Sequence, residues 1–217
     1  MGLKLYGLPV STCTGRVVAV IEELGLEYEL VPVDLSAGEH KRPAYMEKNP
    51  FGQIPALKDG DLVLFESRVI TRYLVRKYGK ESGLLREESP ADGIAVDQWI
   101  EVETQHFNKP ISSLFYQHLL LPLFFGGAAD EKVVAAEVEK LEKVLDVYEA
   151  KLSKTKFLAG DFYSLADLHH LPYGHYLITT TPHGSLIHSR PHVKAWWDAV
   201  TSRPASKKVI AGLTLSL

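Results

Sequence analysis

The sequence predicts a two-part protein, with an α/β domain over residues 1–80 and an all-helical domain over residues 91–217. Three observations support this division. The first 80 residues mix strand-type and helix-type apolar patterns. Residues 81–90 are charged and lack periodicity, which is typical of a linker. Beyond the linker, apolar residues recur at three- and four-residue steps, which is typical of packed helices.

The first three elements are expected to be a strand, a helix and a strand. Lys4–Leu8 is a short apolar run that ends at Pro9, and helical spacing then continues to Gly25, a suitable C-terminal cap. Glu27–Val33 alternates apolar and polar residues like a half-buried strand. This order predicts two parallel strands joined by a right-handed crossover.

A hairpin and a third helix complete the first domain. Ile54–Lys58 and Leu62–Phe65 flank Asp59-Gly60-Asp61, a strong turn signal because glycine accepts a positive φ. Ser67 is expected to cap a helix that ends at Gly79. The resulting order, βαβ followed by ββα, is that of a thioredoxin-like domain.

The second domain is expected to contain only helices. One long helix begins near Ile94 and another near Val133. Ser164 and Asp167 resemble a capping box, which fixes the start of a buried helix. Further helices are expected at Val193–Ser202 and Ser206–Gly212.

Composition and charge exclude several kinds of partner. The 217 residues carry 24 basic and 27 acidic side chains, a net charge of -3, so nucleic-acid binding is not expected. Leu119–Ala129 is too short an uncharged run to span a membrane, and the start of the chain does not resemble an export signal. The single cysteine, Cys13, excludes an intramolecular disulfide and indicates a reducing, cytoplasmic setting. The nine histidines lack ligand partners at motif spacing, so no metal is expected.

Four local patterns in the first domain point to a small-molecule site. They are Ser11 at the entrance of the first helix, His40-Lys41 after the second strand, Asn49–Pro55 (NPFGQIP), and Glu66-Ser67-Arg68. Together with KLYG, GEHK, FLAGDFYSLADL and HVKAWWDAV, they resemble the glutathione transferases, and among these the plant phi class. The resemblance covers essentially the whole chain. It implies a homodimer that uses glutathione as co-substrate, without a separate cofactor.

The resemblance makes Ser11 the residue that stabilises the glutathione thiolate. A thiol with a pKa of about 8.5 is only a few per cent ionised at neutral pH, so the site must favour the anion. A serine hydroxyl and a helix N-terminus can both do so. The alternative is that Ser11 is merely an N-cap, the commonest role of serine at such a junction.

The resemblance also assigns the groups that hold glutathione. His40 and Lys41 would bind the glycyl carboxylate, Ser67 the γ-glutamyl carboxylate, and Glu66 and Gln53 the ammonium and backbone ends. The backbone of Ile54, before a cis-proline turn, would pair with the cysteinyl unit. Lys41 could instead be a solvated loop lysine, and the Ile54-Pro55 bond could be trans.

The electrophile pocket and the dimer contact are predicted from the resemblance alone. The pocket would include Val10, Thr12, Leu35, Phe115 and His118, although Phe115 could be ordinary core. Phe51 would insert near Trp99 of a second copy, unless it packs within its own subunit.

Three functions remain open. The first is conjugation of glutathione to hydrophobic electrophiles, with peroxidase activity on organic hydroperoxides as a possible addition. The second is a non-catalytic carrier (ligandin) for flavonoids or other apolar metabolites. The third is a thiol transferase using Cys13, which could otherwise be an inert packed side chain.

Overall fold

A computed structural model describes residues Gly2–Leu213. Contacts divide the chain into two units: the chain up to Leu84 together with Pro204 onward, and Leu85–Arg203. We call these the sheet unit and the helical unit. No helix among the described residues is long and apolar enough to cross a bilayer.

The sheet unit contains four strands in the order β2-β1-β3-β4. Strands β1 and β2 run parallel and β3 is antiparallel to β4, as predicted, and β3 also pairs antiparallel with β1. Gly60, with φ of 61°, occupies the β3–β4 turn. The elements are β1 (Leu3–Gly7), α1 (Thr12–Glu23), β2 (Tyr28–Pro32), α2 (Pro43–Met46), β3 (Ala56–Asp59), β4 (Leu62–Phe65) and α3 (Ser67–Tyr78).

Apolar residues of α1 belong to the buried core of this unit. Val17, Val20 and Ile21 are fully buried, as is Leu5 of the central strand β1. Gly25, with φ of 62°, ends α1 as the sequence predicts. Because α1 contacts both α3 and the last helix, it is the central helix of this unit.

The helical unit begins at α4 and is all-helical. Its elements are α4 (Pro90–Val102), α5 (Asn108–Phe115), α6 (Leu121–Phe125), α7 (Glu131–Leu152), α8 (Leu165–Leu168), α9 (Leu171–Thr180), α10 (Ser185–His188) and α11 (Pro191–Ser202). Two π-helical segments, Glu103–Phe107 and Tyr116–Leu120, precede and follow α5. The sequence does not predict them, since their residues fit an ordinary helix.

A buried carboxylate organises the start of α8. Asp167 closes the predicted capping box with Ser164, and it also accepts hydrogen bonds from Leu158 N and Trp196 Nε1 at 3.0 and 2.9 Å. Burial raises the pKa of Asp167 to about 6 against these hydrogen bonds, which lower it. The capping box is therefore confirmed.

The last helix, α12 (Pro204–Gly212), belongs to the sheet unit. It packs on α1, and Lys208 Nζ lies 2.8 Å from Glu22 Oε2. This grouping differs from the predicted one, in which residues 91–217 form a single domain. Helical periodicity identifies α12 but does not show which helix it packs against.

Candidate active site

One edge of the sheet brings the four sequence patterns together. In the strand register Tyr6 pairs with Ala56, and Ala56 pairs with Phe65. The end of β1, the start of β3 and the end of β4 therefore lie at the same edge, as does the end of β2, where Pro32 pairs with Gly7. The segments that join the sheet there carry Ser11, His40, Lys41, Gln53, Ile54, Glu66 and Ser67.

Ser11 is the N-cap of α1. Its backbone is extended (φ -73°, ψ 128°), and its Oγ accepts a hydrogen bond from Thr14 N at 3.3 Å. The N-cap interpretation is thus confirmed. It does not compete with the thiolate role, because an oxygen that accepts from Thr14 still has a hydroxyl proton to donate.

Ser67 is the first residue of α3 rather than its cap, so the predicted capping role is wrong. Glu66 is the N-cap, with φ of 68° and no side-chain capping bond. The Ser67 hydroxyl instead accepts a hydrogen bond from Arg16 Nη1 at 2.9 Å. Arg16 is fully buried and lies on α1 among apolar residues. Sequence reasoning missed Arg16, although a charge on the apolar face of a helix was the available signal.

The Gln53 carbonyl is held by two donors. Tyr45 Oη lies 2.9 Å and Asn49 Nδ2 lies 2.7 Å from this oxygen. Burial raises the pKa of Tyr45 to about 12, so its hydroxyl stays protonated. The next peptide bond, Ile54-Pro55, is cis, as predicted. Two hydrogen bonds thus fix the backbone immediately before Ile54.

His40 and Lys41 flank this loop. His40 Nδ1 is buried, with no hydrogen-bond partner among the described residues. Lys41 is exposed, and its Nζ donates to Phe51 O at 3.0 Å. Gly52 fits against both at φ of 57°, where a Cβ atom would lie 2.7 Å from His40 O. The loop therefore presents a lysine and an unpaired imidazole nitrogen.

The predicted electrophile residues are divided between the two units. In the sheet unit Thr12 is buried, Val10 half-buried and Leu35 exposed. In the helical unit Phe115 packs against the Tyr173 and Tyr176 rings.

The remaining electrophile residue, His118, pairs with another histidine. Its Nε2 lies 3.1 Å from His183 Nε2. Burial, and then the charge of His118, lower the pKa of His183.

The predicted dimer residues also lie in different units. Phe51 is 65% exposed and meets Phe65 edge-on at 6.1 Å between ring centroids. Trp99 is half-buried and stacks edge-on against Tyr148. Between Gly2 and Leu213, no group of three or more His, Cys, Asp or Glu residues is arranged to hold a metal ion.

The architecture defines the class of two-domain proteins in which a thioredoxin-like domain, here with the candidate ligand-binding residues on one sheet edge, is followed by an all-helical domain. Family models for the N-terminal and C-terminal domains of glutathione S-transferase match residues 1–76 and 107–204. The chain therefore belongs to the glutathione S-transferase family, and its relatives place it with the plant phi class.

Individual relatives match over nearly their whole length. Glutathione S-transferase F13 of Arabidopsis thaliana is 49% identical over 100% of this chain and 98% of its own. The structure of transferase F7 from Populus trichocarpa is 53% identical, with a TM-score of 0.92 over 98% of this chain and 100% of its own. Maize transferase I, solved with an atrazine glutathione conjugate, is 46% identical, with a TM-score of 0.94 over 100% of both chains.

Proposed function

We propose that this chain conjugates the thiolate of glutathione to hydrophobic electrophiles, with Ser11 as the group that stabilises the thiolate. The observation that carries the proposal is the position of Ser11: its hydroxyl lies at the N-terminus of α1, at the edge that also carries the other ligand-type residues. Solved relatives bound to lactoylglutathione and to an atrazine glutathione conjugate support the substrate class.

The energies are sufficient for Ser11 to act without a base. Lowering a thiol pKa by about two units requires about 2.7 kcal/mol of preference for the anion. A hydroxyl hydrogen bond to a charged sulfur contributes about 1.5–3 kcal/mol, and a helix N-terminus about 0.3–2 kcal/mol. Ser11 supplies the first and α1 the second.

The rest of the edge has the chemistry to hold glutathione. His40 and Lys41 offer donors for one carboxylate, and the first turn of α3 at Ser67 offers backbone N–H groups for the other. Glu66 can accept from the ammonium group. Gln53 and the backbone of Ile54 complete the site. The two hydrogen bonds on the Gln53 carbonyl hold this stretch of backbone in place before glutathione binds.

Ser11→Ala, Ser11→Gly and Ser11→Thr test the role of the hydroxyl. Alanine loses both the hydroxyl and the cap, glycine keeps much of the capping preference, and threonine keeps the hydroxyl. We expect kcat to fall about 10- to 100-fold in the alanine and glycine variants, glutathione affinity to change less than about threefold, and threonine to retain turnover.

The pKa of bound glutathione, measured by thiolate absorbance, should rise in step with the loss of turnover. Unchanged turnover and thiol pKa in both Ser11→Ala and Ser11→Gly would reject Ser11 as the group that stabilises the thiolate. A wild-type chain that binds glutathione but turns over no electrophile would favour the carrier function. A panel that adds hydroperoxides and hydroxyethyl disulfide, with Cys13→Ala as control, separates peroxidase and thiol transferase activity from conjugation.

We also propose that the protein is a homodimer in the cytoplasm. Phe51, Leu62 and Val69 are exposed apolar residues of the sheet unit. Val69 also lines a surface cavity of about 450 Å³, together with Leu64, Arg72, Tyr73, Arg76 and Lys77. Large exposed apolar side chains are typical of an interaction surface.

Sedimentation velocity on Phe51→Ala tests the dimer, with Val147→Ala, an exposed apolar residue of α7, as matched control. We expect dissociation at concentrations where the control stays dimeric. A wild-type chain that sediments as a monomer would reject the proposal.

A further inference from the structure

Two histidines of the helical unit face each other. His118 belongs to the π-helical segment Tyr116–Leu120, and His183 lies in the turn between α9 and α10. Their Nε2 atoms are 3.1 Å apart, their ring centroids are 5.0 Å apart, and their planes meet at 58°. Both side chains are half-buried, so small solutes can reach them.

These distances match two imidazoles on one metal ion. An ion about 2.05 Å from each nitrogen, with about 100° between the bonds, places the nitrogens about 3.1 Å and the ring centroids about 4.9 Å apart. A straight hydrogen bond of the same length would place the centroids about 5.4 Å apart. The observed 5.0 Å is much closer to the metal-type arrangement.

We propose that His118 and His183 form a two-histidine site for a divalent transition metal ion such as Zn²⁺ or Cu²⁺, with water completing the coordination. Imidazole nitrogen is a preferred ligand of both ions. No third His, Cys, Asp or Glu completes the set among the described residues, so the site is open and of moderate affinity.

Glu131, at the start of α7, contributes charge to this site. Its carboxylate is close enough to interact electrostatically with His183 and would offset part of the ion's charge. The two histidines are 65 positions apart in the sequence, which is why ligand-spacing motifs indicate no metal site. A bound ion would join the π-helical segment to the α9–α10 turn and stabilise the helical unit.

Equilibrium dialysis of the tag-free full chain against Zn²⁺ tests the site. We expect one ion per chain with a Kd of about 10 μM, weakened at least tenfold in His118→Asn and in His183→Asn. The double variant should bind Zn²⁺ no more weakly than the single variants. His188→Asn, which changes an exposed histidine, should bind Zn²⁺ as tightly as wild type. Zn²⁺ at about ten times Kd should raise the thermal midpoint of wild type by about 3 °C.

A measurement on the unaltered chain covers the case in which a variant does not fold. The electron paramagnetic resonance spectrum of one Cu²⁺ equivalent should show two imidazole nitrogens. The proposal fails if the spectrum shows none or one, if Zn²⁺ binds equally to wild type and both single variants, or if no Zn²⁺ binds at about 1 mM. The last result would mean that the two rings only share a proton.

Discussion

The guanidinium of Arg16 donates a hydrogen bond to the hydroxyl of Ser67 at 2.9 Å in the interior of the sheet unit. Arg16 lies on α1, whose N-cap is Ser11, and Ser67 begins α3. A buried charge requires partners, and breaking such a contact from one side leaves an unsatisfied group. The two helix N-termini of the site are thus connected through one buried side chain.

The Arg16–Ser67 contact should appear as a coupling energy. We expect Arg16→Met and Ser67→Ala each to reduce the free energy of unfolding, and the double variant to lose about 1–3 kcal/mol less than the sum. Urea denaturation of the four proteins measures the cycle. Strict additivity would show that the hydrogen bond contributes nothing of its own.

The carbonyl of Gln53 should tolerate the loss of one donor but not of both. Tyr45→Phe removes one hydrogen bond and should cost about 1 kcal/mol, since Asn49 still satisfies the oxygen. Asn49→Ala also frees Phe51 N and should cost about 2–3 kcal/mol. The loss of stability in the double variant should exceed the sum of the two single losses. The double variant should also raise the glutathione KM most, because neither hydrogen bond then holds the backbone before Ile54. Equal KM values in all three variants would contradict this.

Asp167 should make stability depend on pH. Its pKa is about 6 in the folded chain against an ordinary 3.8, so the folded state binds the proton more tightly. The contribution of this group is therefore most favourable below pH 3.8 and is lost as pH rises through 6. Between pH 5 and 7.5 the free energy of unfolding of wild type should fall by about 1 kcal/mol relative to that of Asp167→Asn, as measured by urea denaturation at both pH values. If the difference in free energy of unfolding between wild type and Asp167→Asn were the same at both pH values, the raised pKa would be contradicted.

Gly7 should accept no larger residue while Thr14 is present. A Cβ atom at Gly7 would lie 2.5 Å from Thr14 Oγ1 and 2.9 Å from Thr14 Cγ2. Gly7→Ala should therefore cost about 1–3 kcal/mol. Adding Thr14→Ala should restore much of this loss, because the displaced hydroxyl has no partner in the described structure. Gly2→Ala, where nothing lies within 4 Å, is the matched control in thermal unfolding.

The order of the main elements of the sheet unit was predictable because those elements carry local signals, whereas α2 and several helices of the helical unit were not predicted individually. The alternation of β2, the helical spacing of α1 and the Asp59-Gly60-Asp61 turn all act over a few residues. The capping box at Ser164 and Asp167 is likewise local. The candidate site residues were assigned through the family resemblance, because each local pattern is weak by itself.

Contacts between distant residues were not predictable. The bond from Arg16 to Ser67 spans 51 positions, and neither residue type indicates the other. The positive φ of Glu66 was not predictable either, because glutamate rarely adopts this backbone conformation. The two π-helical segments require one extra residue per turn in a sequence that also suits a regular helix.

The pairing of Tyr6 with Ala56 and of Ala56 with Phe65 has a consequence for how the site can change over time. A shift of either pairing by one residue would turn every side chain of the shifted strand to the opposite face and displace the loops of this edge relative to one another. Insertions within β3 or β4 are therefore costly, whereas the loops beyond the edge can change length at positions that do not carry the candidate ligand-binding residues. Strand register thus holds the site together from the inside of the sheet, and changes in ligand preference are expected to come from loop positions around the site.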